Sequence, residues 1–402
     1  MLTTAEAIDA IAAAVRPLAT EMVPLANAAG RILRQHIIAE RDQPPFDRVT
    51  MDGIAVSFDA IASGTRRFRI ETRHHAGDAP VALAGASGCI EVMTGAVLPR
   101  GADCVIPVER IAVANDEAAV EEDYSPERHQ FVHPRGSDYE NASELLAPGS
   151  RIMPVDVAII ASAGLAEVEV ARRPVIRVVS TGNELVPPGL PIEAHQVRLS
   201  NGPALLAMLA QQGFTDCEHD LLADDRASLR ARIGEHLDRA DVLILSGGVS
   251  MGKADFVPAV LAELGVTAVF HKISQRPGKP MWFGTGPRGQ AVFALPGNPV
   301  STLVCCRHYV LPALLQASGR PPRSPEYAVL AEEVTFRPEL TWFLPVRLES
   351  STDGELRARP VPTNTSGDFA SLGGTDGYVE LARERSRFPQ GTAVPLHRWA
   401  AP

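Results

Sequence analysis

The sequence predicts a multidomain protein of the α/β and β classes. A helical first domain carries an inserted β-rich domain; a doubly wound α/β domain and a small C-terminal β domain follow. Three observations predict this. The chain has 402 residues, more than the roughly 250–300 at which single cores stop growing. Between Arg173 and about Gly319, strand patterns alternate with helix patterns, the signature of a parallel sheet covered on both faces. The proline-rich run Pro321-Pro322-Arg323-Ser324-Pro325 then separates that region from short, turn-punctuated β segments.

Taken in order, Thr3 with Glu6 reads as a capping box opening a helix. Helical spacing extends over residues 3 to about 42, through Ile8, Ile11, Val15, Leu25, Ile32, Leu33 and Ile37. Residues 43–140 are rich in Val, Ile and Thr and interrupted by turns, so they form the β module. A helix pattern returns over 141–173, with Val155, Val157, Ile159 and Ile160. The first domain therefore comprises 1–42 plus 141–173. In the α/β domain, 174–320, strands are predicted at Val175–Ser180, Val242–Leu245 and Ala291–Ala294, and helices at Pro203–Gln212, Arg226–Leu237, Phe256–Leu264 and Val300–Leu315. The C-terminal β domain covers 326–402, from Tyr327-Ala328-Val329-Leu330 through Phe343–Leu348 to Gly377–Leu381.

Charge and cysteine content narrow the function classes. A net charge of −10 argues against nucleic acid as the main partner, so an anionic ligand must be held by local cations. The five cysteines, Cys89, Cys104, Cys217, Cys305 and Cys306, show no CxxC or Cys/His metal spacing, and read as free thiols of a reducing compartment. The N-terminus does not read as a signal peptide. No apolar run approaches the roughly 20 residues of a membrane span. The expectation is a cytoplasmic protein with neither nucleic acid nor membrane as partner.

The chemistry concentrates in three segments. Ser246-Gly247-Gly248-Val249-Ser250-Met251-Gly252-Lys253-Ala254-Asp255 follows an apolar strand and opens a helix. Glycines there let backbone N–H groups approach a phosphate, and the helix N-terminus adds positive potential. Asp255 suits a metal ion beside that phosphate; the alternative is a Gly-rich turn with Asp255 as its cap. Lys272 and Arg276-Pro277-Gly278-Lys279-Pro280 present three cations from a stiffened loop, which suits an oxyanion; the alternative is a solvated surface turn. Leu295-Pro296-Gly297-Asn298-Pro299-Val300-Ser301 is again strand, turn and helix, with Asn298 as cap and Pro299 in the first turn. Together they predict one anionic crevice. His195 and His271 lie near polar segments, but no metal spacing pairs them.

These motifs resemble the molybdopterin molybdenumtransferase family, which includes the E domain of gephyrin. The resemblance covers nearly the whole chain. It rests on Pro45-Phe46-Asp47 through Met51-Asp52-Gly53, Met93-Thr94-Gly95-Ala96, Gly136-Ser137-Asp138, Ser180-Thr181-Gly182-Asn183-Glu184-Leu185, the 246–255 segment, and the 277–280 and 295–301 segments. It implies a molybdopterin-binding-like α/β domain, a β-barrel-like fourth domain and a homodimer with active sites shared between subunits. It also implies insertion of molybdate into adenylylated molybdopterin, with Mg²⁺-dependent release of AMP. By position, Asp52, Thr94 and Asp138 would come from one protomer. Glu184, Asp225, Asp255, Lys272, Arg276, Lys279, Pro296 and Pro299 would come from the other, and Ser366 corresponds to a serine of the fourth domain. Asp52, Thr94, Asp138, Glu184, Asp225 and Asp255 are the catalytic candidates. Asp225 and Asp255 are the Mg²⁺ candidates. Gly247, Gly248, Ser250, Lys272, Arg276, Lys279, Pro296, Asn298, Pro299, Ser301 and Ser366 are the candidates for binding substrate and molybdate. Partners implied are the enzymes of molybdopterin synthesis and acceptor molybdoenzymes.

Plain alternatives stand beside these roles. Asp52 before Gly53 could cap a turn, Thr94 could be a turn residue, and Asp224-Asp225 could cap the helix that follows. Ile54 replaces the usual Tyr of its motif, Thr50 stands where Ser or Ala is common, Arg276 replaces a frequent Lys, and Lys253 is unusual beside Asp255. A catalytically weakened paralogue or pterin-binding scaffold, and a molybdopterin adenylyltransferase, are the alternative functions.

Overall fold

The computed structural model describes residues 1–248, 256–322 and 324–400. They fold into two compact units. One comprises Met1–Gln35, Pro148–Met153 and the chain from Glu167 onward; the other comprises His36–Ala147 and Pro154–Ala166.

The second unit centres on a six-stranded sheet. Its strands run in the order Cys104–Pro107, Gly53–Val56, Gly88–Val92, Arg67–His74, Glu117–Val120, Ile111–Ala114. Gly53–Val56 is buried at every position, as a central strand with both faces covered requires. Ile54, Val56, Phe68 and Ile106 fill one core cluster, while Val49, Ile90 and Val105 fill another.

The first unit begins with α1 (Thr4–Ala14), closed by the predicted capping box between Thr3 and Glu6. Its Ala7 and Ile11 lie in the same hydrophobic cluster as the α/β sheet. The helical spacing expected for Leu25–Ile37 is not realised. Thr20–Pro24 pairs antiparallel with Glu167–Ala171, the Leu33 amide donates to the Ser150 carbonyl, and Gly30 adopts a φ of 79°. Pairing with distant segments wins over local periodicity here.

The α/β sheet has β1 (Ile176–Thr181), β2 (Cys217–Leu222), β3 (Val242–Ser246), β4 (Thr267–His271), β5 (Trp282–Thr285) and β6 (Ala291–Leu295), in the order β2-β1-β3-β6-β5-β4. β2, β1, β3 and β6 are mutually parallel, and β5 runs against its neighbours. The connecting helices are α2 (Asn201–Gln211), α3 (Arg226–Arg239) and α4 (Val257–Glu263). After β6 comes α5 (Pro299–Cys305), a π turn at Cys306–Val310, and α6 (Leu311–Ala317). The predicted strands and helices of this region match these within two residues at the described ends. β3 and β6 are buried at all positions, as expected between helix layers. The chain leaves β1 to one side for β2 and returns to the other side for β3, so the strand order reverses between β1 and β3. That reversal opens a crevice at the strands' carboxyl ends, where α/β proteins bind ligands.

Five strands of the C-terminal region close into a barrel. Thr341–Ser350 pairs with Leu356–Pro360, then come Glu326–Leu330, Ala393–Arg398 and Gly377–Leu381, which pairs back with Thr341–Ser350. Closure removes free sheet edges. The two-residue strand Gln275–Arg276, from the predicted basic loop, adds to the barrel strand Thr341–Ser350.

Candidate functional site

The strand ends are level. Ser180 is in register with Ser246, and Ser246 with Leu295. Gly247 and Gly248 follow with φ of 104° and 65°, conformations that favour glycine. A Cβ at Gly247 would lie 2.7 Å from the Thr181 carbonyl oxygen, and one at Gly248 3.1 Å from Thr181 Oγ1. The Gly247 amide donates to the Leu295 carbonyl at 3.2 Å. The turn after β3 is thereby pressed between the ends of β1 and β6.

Asn201, at the start of α2, ties this turn to the next. Its Nδ2 donates to Ser246 Oγ and to the Gly297 carbonyl, each at 2.8 Å. Its Oδ1 and the Thr181 hydroxyl are buried without a hydrogen-bond partner among the described residues. Buried polar atoms rarely lack partners, so two of them at one crevice are what a polar ligand or its water would complete. Beside them, His219 Nε2 lies 3.0 Å from Ser180 Oγ, and burial pulls the imidazole below its ordinary titration range.

Asn298 takes the predicted position before α5, with Pro299 in the first turn. Its side chain does not cap the helix; Nδ2 donates to Ser366 Oγ at 2.6 Å. The Val300 amide donates to the Ser366 carbonyl at 3.1 Å. Ser366, from the C-terminal region, therefore sits against the turn that Pro296 and Gly297 begin. Ser301 is buried in the first turn of α5.

The basic loop packs against the same helix. A Cβ at Gly278 would fall 2.5 Å from Cys305 Sγ and 3.7 Å from the Ser301 carbonyl oxygen. Gln275 is fully buried; it accepts from the Tyr309 hydroxyl and donates to the Pro277 carbonyl at 2.9 Å. The Lys272 amide donates to Met281 O, and the Ile273 amide to Lys279 O. The Ser274 amide donates to Leu2 O at 2.7 Å, which anchors the loop from the N-terminus as well. Lys279 is exposed and Lys272 half-buried, and neither has an ion-pair partner among the described residues. The Arg276 guanidinium departs from the expected trio: it lies 5.9 Å from the Phe336 ring centre in the C-terminal region, a cation–π distance. The segments at 246–248, 272–280 and 295–301 thus lie at the same end of the sheet.

The carboxylates of this unit stand at the same strand ends. Glu184 is exposed, and its carboxylate lies over Gly182. Asp225 is exposed and caps α3, accepting from the Ser228 amide at 2.8 Å. The Asp224 amide donates to Asn183 Oδ1, which joins the two loops. Ser250, Lys253 and Asp255, expected at this site, lie outside the described residues. His195 is exposed beside Glu193, and His271 ends β4.

In the other unit, Asp52 and Thr94 are directly joined. Thr94 donates to one Asp52 oxygen from both its amide and its hydroxyl, at 2.7 Å each. These bonds, the amide first, hold the Asp52 carboxyl below its usual range. Asp138 lies 3.0 Å from His133 Nε2, and His133 Nδ1 lies 3.1 Å from Arg48. Because Gly53 pairs with Val92, Asp52 and Thr94 stand at one end of this sheet, while Asp138 lies beside the Arg48–His133 pairing of a separate two-stranded ribbon. Asn201, His219 and Gln275 lie in no local motif, whereas Thr181 belongs to the Ser180–Leu185 motif.

The family model described as "MoeA N-terminal region (domain I and II)" matches residues 2–164. "Probable molybdopterin binding domain" matches 177–316, and "MoeA C-terminal region (domain IV)" matches 327–399. A molybdopterin molybdenumtransferase of Synechocystis sp. is 37% identical over 99% of this chain and 100% of its own length. One from Haemophilus influenzae is 32% identical over 94% of each chain. The crystal structure of the molybdopterin biosynthesis MoeA protein of Pyrococcus horikosii covers 100% of both chains, with 31% identity and a TM-score of 0.84.

Proposed function

The chain belongs to the molybdopterin molybdenumtransferase family, and from that premise we propose that it inserts molybdate into adenylylated molybdopterin and releases AMP. What supports this reading is that the glycine turns, two unpartnered polar atoms and the loop carrying the cations lie at the same end of the sheet. The turn at Gly247 and Gly248 suits the phosphates because no side chain there blocks their approach to the backbone. Lys279 and Lys272 suit the tetrahedral dianion. Asn298 and Ser366, already bonded to each other, offer neutral donors at the rim.

The oxygen donors Glu184 and Asp225 at the strand ends fit Mg²⁺, an ion that favours carboxylates together with substrate phosphate and water; Asp255 would join them. Bound there, Mg²⁺ would supply positive charge to the pyrophosphate as it is cleaved. The protein's part is to orient the adenylate for attack by water and to hold molybdate near the dithiolene, whose two thiols bind molybdenum while one oxo ligand leaves as water with their protons. No protein nucleophile enters this scheme. Asp52, Thr94 and Asp138 belong to the same reading through a homodimer, each completing the partner's crevice. The setting is cytoplasmic, between the enzymes of molybdopterin synthesis and the acceptor molybdoenzymes.

Incubation of the purified protein with adenylylated molybdopterin, Mg²⁺ and molybdate tests the proposal. Molybdate-dependent AMP release is expected. Tight binding without turnover would instead indicate a scaffold or weakened paralogue, and adenylation from ATP an adenylyltransferase.

A further inference from the structure

A second cluster of ligating side chains lies where the π turn after α5 meets the barrel. His308, in the π turn, is 4% exposed. Its Nδ1 is 3.2 Å from the Tyr378 hydroxyl, while its Nε2 is buried without a partner among the described residues. Tyr378 is in register with His397 across neighbouring barrel strands, and Glu380 projects from the same strand face as Tyr378. His397 Nε2 lies 3.1 Å from Glu380 Oε2, and the side chains of His397 and Glu380 are 20% and 26% exposed. The His308 and His397 rings are 4.7 Å apart and nearly perpendicular.

We propose that His308, His397 and Glu380 form a binding site for a zinc-class divalent ion. One ligand atom from each lies within 4.8 Å of the others, and tetrahedral zinc at about 2.0–2.1 Å from each would bring them to roughly 3.4 Å. Two imidazoles and one carboxylate are a zinc donor set that keeps a fourth position open; an all-oxygen set would be needed to favour Mg²⁺ or Ca²⁺. The Tyr378 contact supplies what a ligating histidine needs at its other nitrogen: with Nδ1–H donating to the hydroxyl, the Nε2 lone pair is free for metal. Hydrogen bonding within the cluster leaves that Nε2 orphaned; an ion satisfies it. Such an ion would clamp the π turn to the barrel, with the partly exposed His397 and Glu380 as its route from solvent. The site uses none of the residues assigned to the crevice and does not rest on that assignment.

The test is titration of tag-free, chelator-treated full chain with Co²⁺. The expected result is one equivalent that carries the visible absorption of a tetrahedral site and is displaced by Zn²⁺. His397→Ala should weaken binding by at least about 100-fold, and Tyr378→Phe by about 10–100-fold, as loss of an outer-shell partner does. Asp225→Asn should leave the spectrum unchanged. Absence of a tetrahedral spectrum in the folded wild type, or a spectrum that survives His397→Ala, overturns the proposal. Should His397→Ala fail the circular-dichroism check for folding, Glu380→Gln on the site's rim gives the same readout.

Discussion

The Thr94 hydroxyl and the Thr94 amide converge on a single carboxylate oxygen of Asp52. Thr94→Val removes only the hydroxyl bond, so Asp52 should titrate at higher pH, though still below an isolated carboxylate because the amide remains. A depressed folded value adds stability above the unfolded value and loses it as pH falls through the folded one. The variant should therefore lose that contribution at a higher pH than the wild type. Carboxylate ¹³C titration checks this; an unmoved Asp52 resonance refutes it.

Gly247→Ala places a methyl group 2.7 Å from the Thr181 carbonyl oxygen at a φ of 104°. The expected cost is about 1–3 kcal/mol, read as a lower thermal midpoint. Affinity for AMP should fall as well, since the same turn faces the crevice. Wild-type values for both would show that the turn relaxes freely.

Gln275→Leu leaves the buried Tyr309 hydroxyl and the Pro277 carbonyl without their partner. A loss of about 1–3 kcal/mol is expected in denaturant unfolding. Tyr309→Phe, which removes one of the two contacts, should cost less. Equal losses would indicate that the Pro277 contact contributes nothing.

Lys279→Ala should weaken molybdate binding by roughly 10- to 100-fold, the span of a charge-assisted hydrogen bond of about 1.5–3 kcal/mol. Isothermal titration in low and high salt is the measurement. Because Lys279 is exposed, the wild-type advantage should shrink as ionic strength rises. An affinity equal to wild type at low salt removes Lys279 from the site.

Burial lowers the His219 imidazole below its unfolded value. The unfolded chain then binds the extra proton first, so stability should decline as pH drops below about 6.5. His219→Gln should flatten that decline in a pH series of thermal unfolding. An unchanged slope would assign the acid sensitivity elsewhere.

The crevice was legible where chemistry is written locally. Apolar strands ending in Ser246-Gly247-Gly248 and Leu295-Pro296-Gly297 announce strand, turn and helix through composition alone. Asn201 and Gln275 were not legible, because each acquires its role from segments far along the chain: Asn201 from Gly297, Gln275 from Tyr309. The same cause explains Leu25, Ile32, Leu33 and Ile37. Their spacing matches a helix, yet Ile32 bridges to Arg151 and Leu33 to Val170, contacts no local window contains. Arg276 shows a third kind of limit. Its charge and loop were evident, but the Phe336 ring that holds its guanidinium lies 60 positions onward.

Gln275 and Arg276 hydrogen-bond alongside Thr341 and Trp342 as an extra strand, which makes the C-terminal barrel a buttress for the cationic loop. Cutting the chain at the proline-rich linker would remove that support along with Ser366, even though every lysine of the loop would remain. The α/β portion expressed alone should thus keep its charge and lose its grip on the oxyanion.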